Sequence, residues 1–397
     1  MPRFLVIFAG FAAIACGAGS KEPVGSGPVE QVPEACADLP VDRFRELIAV
    51  DDFVTDDDRG KNALAGAWSF RRVVEALTPA GATPSDYVKV WLESWVRTQR
   101  INSFEVVPRP QVESIVLCPW LQRRPENGCD ADCKSCRAKE LDLDQAPFRL
   151  LAIVNRLDLR GLDREVAPAG EGRLVFGLVR GAGDDPLATP LRMTAIFEFA
   201  YPTQEGQTAR GWAERWHALG AESSDESFKQ GLQAITDDFV SPRLLSRLRT
   251  NERDLEWRWE LRQFVHGASG LPVPAVTSNT PDATQNSSAE LRDYLLANRA
   301  SVLSEVEQLP TPLCGGAAPG DLVWRVNVDE PLRKAFANQT CNGCHMTEQT
   351  PVDIAFHISP QRRGRERLSP YLQDPENPER DELARRADSL RAALCDQ

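Results

Sequence analysis

The stretch NQTCNGCHM, residues 338–346, sets two cysteines two residues apart and places a histidine directly after the second. At that spacing Cys341, Cys344 and His345 can do three kinds of chemistry. Both sulfurs can lie over the vinyl groups along one porphyrin edge and form thioethers, while the adjacent imidazole turns under the iron. The two cysteines can instead close a disulfide, or stay reduced, beside a surface histidine. As a third use, His357 and Cys314 can join them in a four-ligand zinc site. The chain has only four histidines, so one placed directly after a cysteine pair is informative.

A second axial ligand for an iron would have to come from elsewhere. Methionine occurs only at positions 1, 193 and 346, and Met346 sits beside His345 on the wrong side of any bound plane. His357, in DIAFHISP, is the best local substitute. Its twelve-residue step spans at most roughly 40 Å when extended, enough to pass around a porphyrin edge. The run QRRGRER (361–367) follows, and Arg362 and Arg363 can pair with porphyrin carboxylates in two-point geometry. The same arginines serve equally as a solvated loop or a docking surface.

Other candidates are less specific. Cys118, Cys129, Cys133 and Cys136 crowd into CPWLQRRPENGCDADCKSC, where two disulfides pinning an insertion (118–136) compete with a zinc or iron–sulfur site. Asn155, Arg156, Asp158, Glu171 and Arg173 can converge at one sheet edge as a binding or acid/base site, or form a buried ion-pair network steadying turns. His217 and His266 read as packed or surface residues. There is no HExxH helix, GxSxG elbow, Walker loop or complete dinucleotide-binding glycine fingerprint.

The elements that must position these groups fall into four stretches. Residues 1–16, MPRFLVIFAGFAAIAC, carry Arg3, then an apolar run, then small residues, which is the layout of an export signal. The ending resembles a bacterial lipobox, with Cys16 as the lipidated residue, although Ala13 stands where leucine is usual. An ordinary cleaved signal is the alternative. Residues 17–38 are rich in Gly, Pro and Ser and read as a flexible tether. Residues 39–320 read as an α+β domain. In it FRLLAIVNRLDL, GRLVFGLV, MTAIFEFAYP and EWRWELRQFVHG are strand candidates. DRFRELIAV, YVKVWLESWVRTQ, ARGWAERWHALG, ESFKQGLQAITDDFV, SPRLLSRLR and AELRDYLLANRASVLSEVEQL read as helices. Residues 321–397 read as DLVWRVNV (a short strand), a helix over DEPLRKAFANQT, the cysteine motif, a basic loop and a closing helix. A net charge of −12 argues against a nucleic-acid partner, which needs a basic face.

The helix before CNGCH and the helix closing the chain make residues 329–397 resemble the class I c-type cytochromes. The chain as a whole resembles exported bacterial lipoproteins. The cytochrome resemblance implies haem c held by Cys341 and Cys344, with His345 as proximal ligand and His357 in place of the missing methionine. The expected fold is α+β: a mixed helix and sheet main domain with a small, mostly helical, cytochrome c-like module at the C-terminus. The expected role is one-electron transfer in the periplasm or cell envelope. A redox partner protein or a small-molecule donor or acceptor would exchange electrons with it, and a lipid would anchor it to a membrane. Two other classes stay open: a haem-free envelope-binding or structural lipoprotein held by disulfides, and a haem-dependent peroxidase or gas sensor with an open distal site.

Overall fold

The structure, a computed structural model, describes residues 32–161, 169–203, 207–304, 309–348, 355–374 and 381–395. The export signal, Cys16 and most of the tether lie outside the described residues. Among the described residues ten strands form: β1 (Ile48–Ala49), β2 (Gln99–Ile101), β3 (Phe104–Val106), β4 (Phe148–Arg156), β5 (Glu171–Arg180), β6 (Thr189–Ala200), β7 (Leu245–Glu252), β8 (Glu260–His266), β9 (Pro272–Ala275) and β10 (Ala317–Pro319). The helices are α1 (Asp52–Thr55), α2 (Phe70–Leu77), α3 (Pro84–Glu93), α4 (Cys118–Gln122), α5 (Ala209–Gly220), α6 (Asp225–Phe239), α7 (Ala289–Ala297), α8 (Arg299–Leu303), α9 (Glu330–Asn338) and α10 (Glu382–Cys395). The architecture is mixed α+β, as expected. No helix among the described residues is long and apolar enough to cross a membrane.

An antiparallel sheet runs in the order β1-β4-β5-β6-β7-β8-β10, with β9 also paired to β8, while β2 and β3 form a separate hairpin. Successive strand residues point to opposite faces, so register alone sorts the side chains. Leu174, Phe176, Phe197, Leu248 and Phe264 fall on one face, and helices cover it. Phe70 of α2 stacks on Phe148 at 4.3 Å and meets Phe176 and Phe197 edge-on. Local chemistry starts these helices where the chain turns onto the sheet. Thr83 and Asp86 form a reciprocal cap on α3 with Pro84 in its first turn, and the Ser224 hydroxyl caps α6.

The strand candidates at β4, β5, β6 and β8 form as expected, and so do the helices at α3, α5, α6, α7, α9 and α10. Three segments differ. SPRLLSRLR enters the sheet as β7, because Leu248 fits between Phe197 and Phe264 while Arg247 and Arg249 take the other face. DRFRELIAV makes only one wide turn, Arg43–Leu47, before Ile48 pairs with Val154 at the sheet edge. DLVWRVNV forms no strand, since Trp324 buries itself and donates from its indole to Thr340 Oγ1 at 2.9 Å.

The boundary expected at 320/321 does not separate two cores. Leu368, Leu372, Leu383 and Leu390 belong to the same apolar cluster as the helix-covered face of the sheet. The Cys36–Cys395 disulfide joins the two ends of the described chain. α9 packs on α8, whereas α10 packs on α5 and the N-terminal turns. The two helices that carried the cytochrome resemblance therefore enter different apolar clusters. Residues 339–348 and 355–372 instead form a cover over the second face of the sheet.

Candidate functional site

That second face carries Val154 and Arg156 on β4, Arg173 and Val175 on β5, Ile196 and Glu198 on β6, and Arg249 and Asn251 on β7, each pair two residues apart. Between this floor and the cover lies a cavity of about 120 Å³, smaller than the roughly 300–1,000 Å³ usual for small-molecule and cofactor sites. Cys341, Cys344, His345, His357 and Tyr371 line it from above, and Arg386 of α10 lines it from one side.

The cysteine turn is held from several directions. Asp329 caps α9, with Pro331 in its first turn, and the helix runs straight into the motif. Thr280 Oγ1 accepts the Cys341 N–H at 3.0 Å, and the Asn342 amide donates to the Leu322 carbonyl at 2.8 Å. A Cβ at Gly343 would lie 1.9 Å from the Ala337 carbonyl oxygen, so no other residue fits there without shifting backbone. Cys341 and Cys344 are both buried and reduced. Burial pushes the Cys341 thiol up, which keeps it protonated and a poor nucleophile.

His345 presents Nδ1 to protein, and His357 meets protein through both ring nitrogens. His345 Nδ1–H donates to the Ala355 carbonyl at 3.1 Å, and Asn251 on the sheet floor holds that carbonyl in place at 2.9 Å. His357 Nδ1 meets Ser369 Oγ at 3.2 Å. In His345, Nε2 is therefore the nitrogen left for a metal, while His357 Nε2 already meets Cys344 Sγ. Burial holds His345 down at about 4 and, with the charges of His345 and Arg386, holds His357 well below the ordinary imidazole value. Both are neutral at neutral pH, as axial ligation requires. The imidazoles lie tilted by 35° with ring centroids 4.0 Å apart, between Trp259 at 5.2 Å from His345 and Tyr371 at 4.5 Å from His357. That separation is ordinary ring contact. His357 thus stands beside His345, with its Nε2 3.5 Å from Cys344 Sγ, and no porphyrin plane fits between the rings as placed.

The charged floor is a buried network. Arg156 pairs with Asp158 at 3.0 Å, Arg385 bridges Asp158 and Glu382, and Arg386 meets Glu382 at 3.0 Å. Arg173 pairs with Glu171 at 3.0 Å. Glu198 sits among Arg173, Arg249 and Arg247 at 3.4, 3.5 and 3.7 Å, and neither of its oxygens accepts a hydrogen bond. Burial raises Asp158, but Arg156 with Arg386 and Arg385 more than offsets this and holds it far below the usual range. Burial and the nearby Glu198 push Glu171 up to about 7, and burial brings Arg173 down to about 9.

The structure thus brings Cys341, Cys344, His345 and His357 together with two of the sheet-edge residues, Arg156 and Arg173. It does not bring Arg362 or Arg363. Both are exposed, and Arg363 pairs with Asp52 and Asp56 on the surface, because the loop turns outward at Gly364, where φ is +49°. Arg249, Glu198 and Arg386 were not singled out by sequence. The signal available for the first was the alternation in SRLRT, which exposes Arg247 and Arg249 on one side of a strand.

The remaining cysteines among the described residues are oxidised. Cys118–Cys133 and Cys129–Cys136 pin the insertion, and Cys314 is also disulfide-bonded. Cys314 is therefore not a zinc ligand. Among the described residues, the only three metal-type donors lying close together are Cys129, Cys133 and Cys136, and their sulfurs are spent in disulfides. His217 pairs with buried Glu46 at 2.7 Å and His266 with the Tyr87 hydroxyl at 2.9 Å, both as packed residues. Met193 is fully buried in the main core. The chain matches no family model, no curated protein and no solved structure.

Proposed function

We propose that this is an exported protein carrying a covalently attached haem c and working in one-electron transfer. The observation that carries the reading is the convergence on one cavity of two reduced thiols at CxxC spacing and the adjacent neutral imidazole. All other cysteines whose state is described are in disulfides, so the reduction of this pair fits a role other than stapling. Disulfides persist outside the cytoplasm, which supports export and access to haem-attachment machinery. Lipidation at Cys16, with a membrane anchor, belongs to the same proposal, as does a redox partner protein or small-molecule donor or acceptor.

Bound there, haem c would supply a reversible one-electron iron couple. Cys341 and Cys344 would hold its edge, and the Ala355 carbonyl would fix the His345 tautomer so that Nε2 faces the metal. The sheet floor and the cover formed by residues 339–348 and 355–372 would exclude water. Expression with haem-attachment machinery should give a thioether-type pyridine haemochrome, which Cys341→Ser/Cys344→Ser abolishes. Purified wild-type chain with the mass of bare polypeptide, allowing for acyl groups, would sink the proposal.

The contact of His357 with His345 favours a second reading of the same site. If the rings keep that contact, the sixth iron position has no protein ligand and is open to a small molecule, as a peroxidase or gas sensor needs. The ferric absorption and magnetic resonance spectra decide: a low-spin signal lost in His357→Ala supports bis-histidine electron transfer, and a high-spin signal indifferent to it supports the open site.

A further inference from the structure

We infer that Trp259 and Asn251 are positioning residues for His345. Acting together on the Ala355 carbonyl, they fix which ring nitrogen faces the cavity and how firmly the other is held. The consequence for an iron potential rests on the proposed function; the positioning itself does not.

Three donors meet at one oxygen. The Ala355 carbonyl accepts from Asn251 Nδ2 at 2.9 Å, from Trp259 Nε1 at 3.0 Å and from His345 Nδ1 at 3.1 Å. Ala355 is fully buried, and Trp259 and Asn251 nearly so. A carbonyl oxygen offers two lone pairs, so three donors must divide them. Asn251 and Trp259 alone would satisfy that oxygen and anchor the cover. The third bond serves the imidazole.

The network also closes on itself. The same indole N–H reaches Asn251 Oδ1, which sets the amide with its nitrogen toward the carbonyl. Trp259 then lays its ring against the imidazole, with centroids 5.2 Å apart and an interplanar angle of 24°. Asn251 belongs to β7 and Trp259 directly precedes β8, so the sheet grips the cover at the very atom that His345 uses. The imidazole is held both by a nitrogen and by a face.

Nδ1 must carry the ring proton, because a carbonyl only accepts, and Nε2 is left bare toward the cavity. An oxygen shared three ways holds each donor less firmly than an unshared one. The imidazole therefore keeps more of its Nδ1 proton, and Nε2 is less electron-rich. On an iron ligand that difference favours the reduced metal.

The chain has four histidines, so histidine-selective nitrogen labelling gives a readable magnetic resonance spectrum of the haem-free protein, in which burial keeps His345 neutral at neutral pH. Wild-type His345 should show a single tautomer with its proton on Nδ1. Trp259→Phe keeps a ring against the imidazole but removes the indole donor, so the Nδ1 proton should move downfield as its bond strengthens. In haem-loaded protein poised at one fixed potential, the same variant should lower the ferrous-to-ferric ratio about two- to tenfold, the net worth of one hydrogen bond. Asn251→Leu should move both readouts the same way but less, because the indole N–H then goes wholly to the carbonyl. It serves if Trp259→Phe does not fold, as checked by circular dichroism. If the wild type never acquires haem but the proton shifts appear, the positioning stands and the haem reading falls. A shifted proton beside an unchanged ratio overturns the bearing on the iron. A wild-type proton on Nε2, or an Nδ1 proton unmoved by either variant, overturns the inference. So does a shift in Trp259→Leu that Trp259→Phe does not share, which would assign the effect to packing alone.

Discussion

The two faces of one sheet solve opposite problems in this molecule. On the helix-covered face, Phe70, Phe148, Phe176 and Phe197 fill space with fully buried rings. Such packing needs no partner beyond the chain itself. On the other face the same strands carry Arg156, Arg173, Glu198 and Arg249 beneath a cavity, also buried but charged. The first face is where the fold gains its stability. The second spends some of it to keep a charged space ready, as functional sites commonly do.

The largest effects should separate the faces most clearly. Phe70→Ala should lose about 3–5 kcal/mol through the cavity it leaves. Glu198→Gln should lose a similar amount, about 3–5 kcal/mol, because three arginines keep their charge and lose its compensation. Urea unfolding of both variants measures the two losses.

Acidity gives the next contrast. Burial pushes Glu252, where β7 meets Arg109, up to about 8, outweighing the pull of that arginine. A carboxyl raised above its unfolded value of 4.5 favours the folded state when protonated. Its contribution is therefore complete below pH 4.5 and is lost as pH rises toward 8. The loss is at most about 1.4 kcal/mol for each pH unit of that window. Glu171 on the charged face should act in the same direction, with its window closing near pH 7. Urea midpoints measured from pH 4 to 9 (a span of roughly five units around these windows) should fall across the range. Glu252→Gln should flatten the upper part of that fall and Glu171→Gln only the lower. A midpoint that rises with pH in both variants and wild type would remove burial as the dominant influence on either group.

Removing an arginine from the floor should cost the haem-free fold less. Arg249→Gln leaves Glu198 with Arg173 and Arg247, so the loss should be smaller than that of Glu198→Gln, about 1 kcal/mol. A loss comparable to that of Glu198→Gln would mean that Arg173 and Arg247 do not suffice for that carboxylate.

The apolar face was far easier to read from sequence than the charged one. FRLLAIVNR, GRLVFGLV and MTAIFEFA announce strands because branched and aromatic residues cluster between turn residues. β7 was hidden, because Leu244, Leu245 and Leu248 in SPRLLSRLR also fall at helical steps, and only pairing with β6 and β8 decides for a strand. CNGCH and His357 were legible as a local pattern. Their neighbours on the floor were not, since Arg173, Glu198, Arg249 and Arg386 come from four elements that only the fold brings together. A separate C-terminal module looked plausible because nothing local in residues 339–348 and 355–372 says that they must cover a sheet face formed some 100–200 positions earlier, contacts that sequence periodicity does not record.

The smallest expected effect is also the sharpest test of where the ligand's carboxylates go. By sequence, Arg362 and Arg363 were the natural partners for porphyrin carboxylates, the only dense basic run in an acidic chain. In the fold Arg363 is 62% exposed and pairs with Asp52 and Asp56, far from enclosure, and exposed ion pairs contribute about 0–1 kcal/mol. Arg362→Gln/Arg363→Gln should therefore shift the urea midpoint barely and leave thioether haem content at the wild-type level. A loss of haem content in this double variant would return the anionic end of the ligand to the loop.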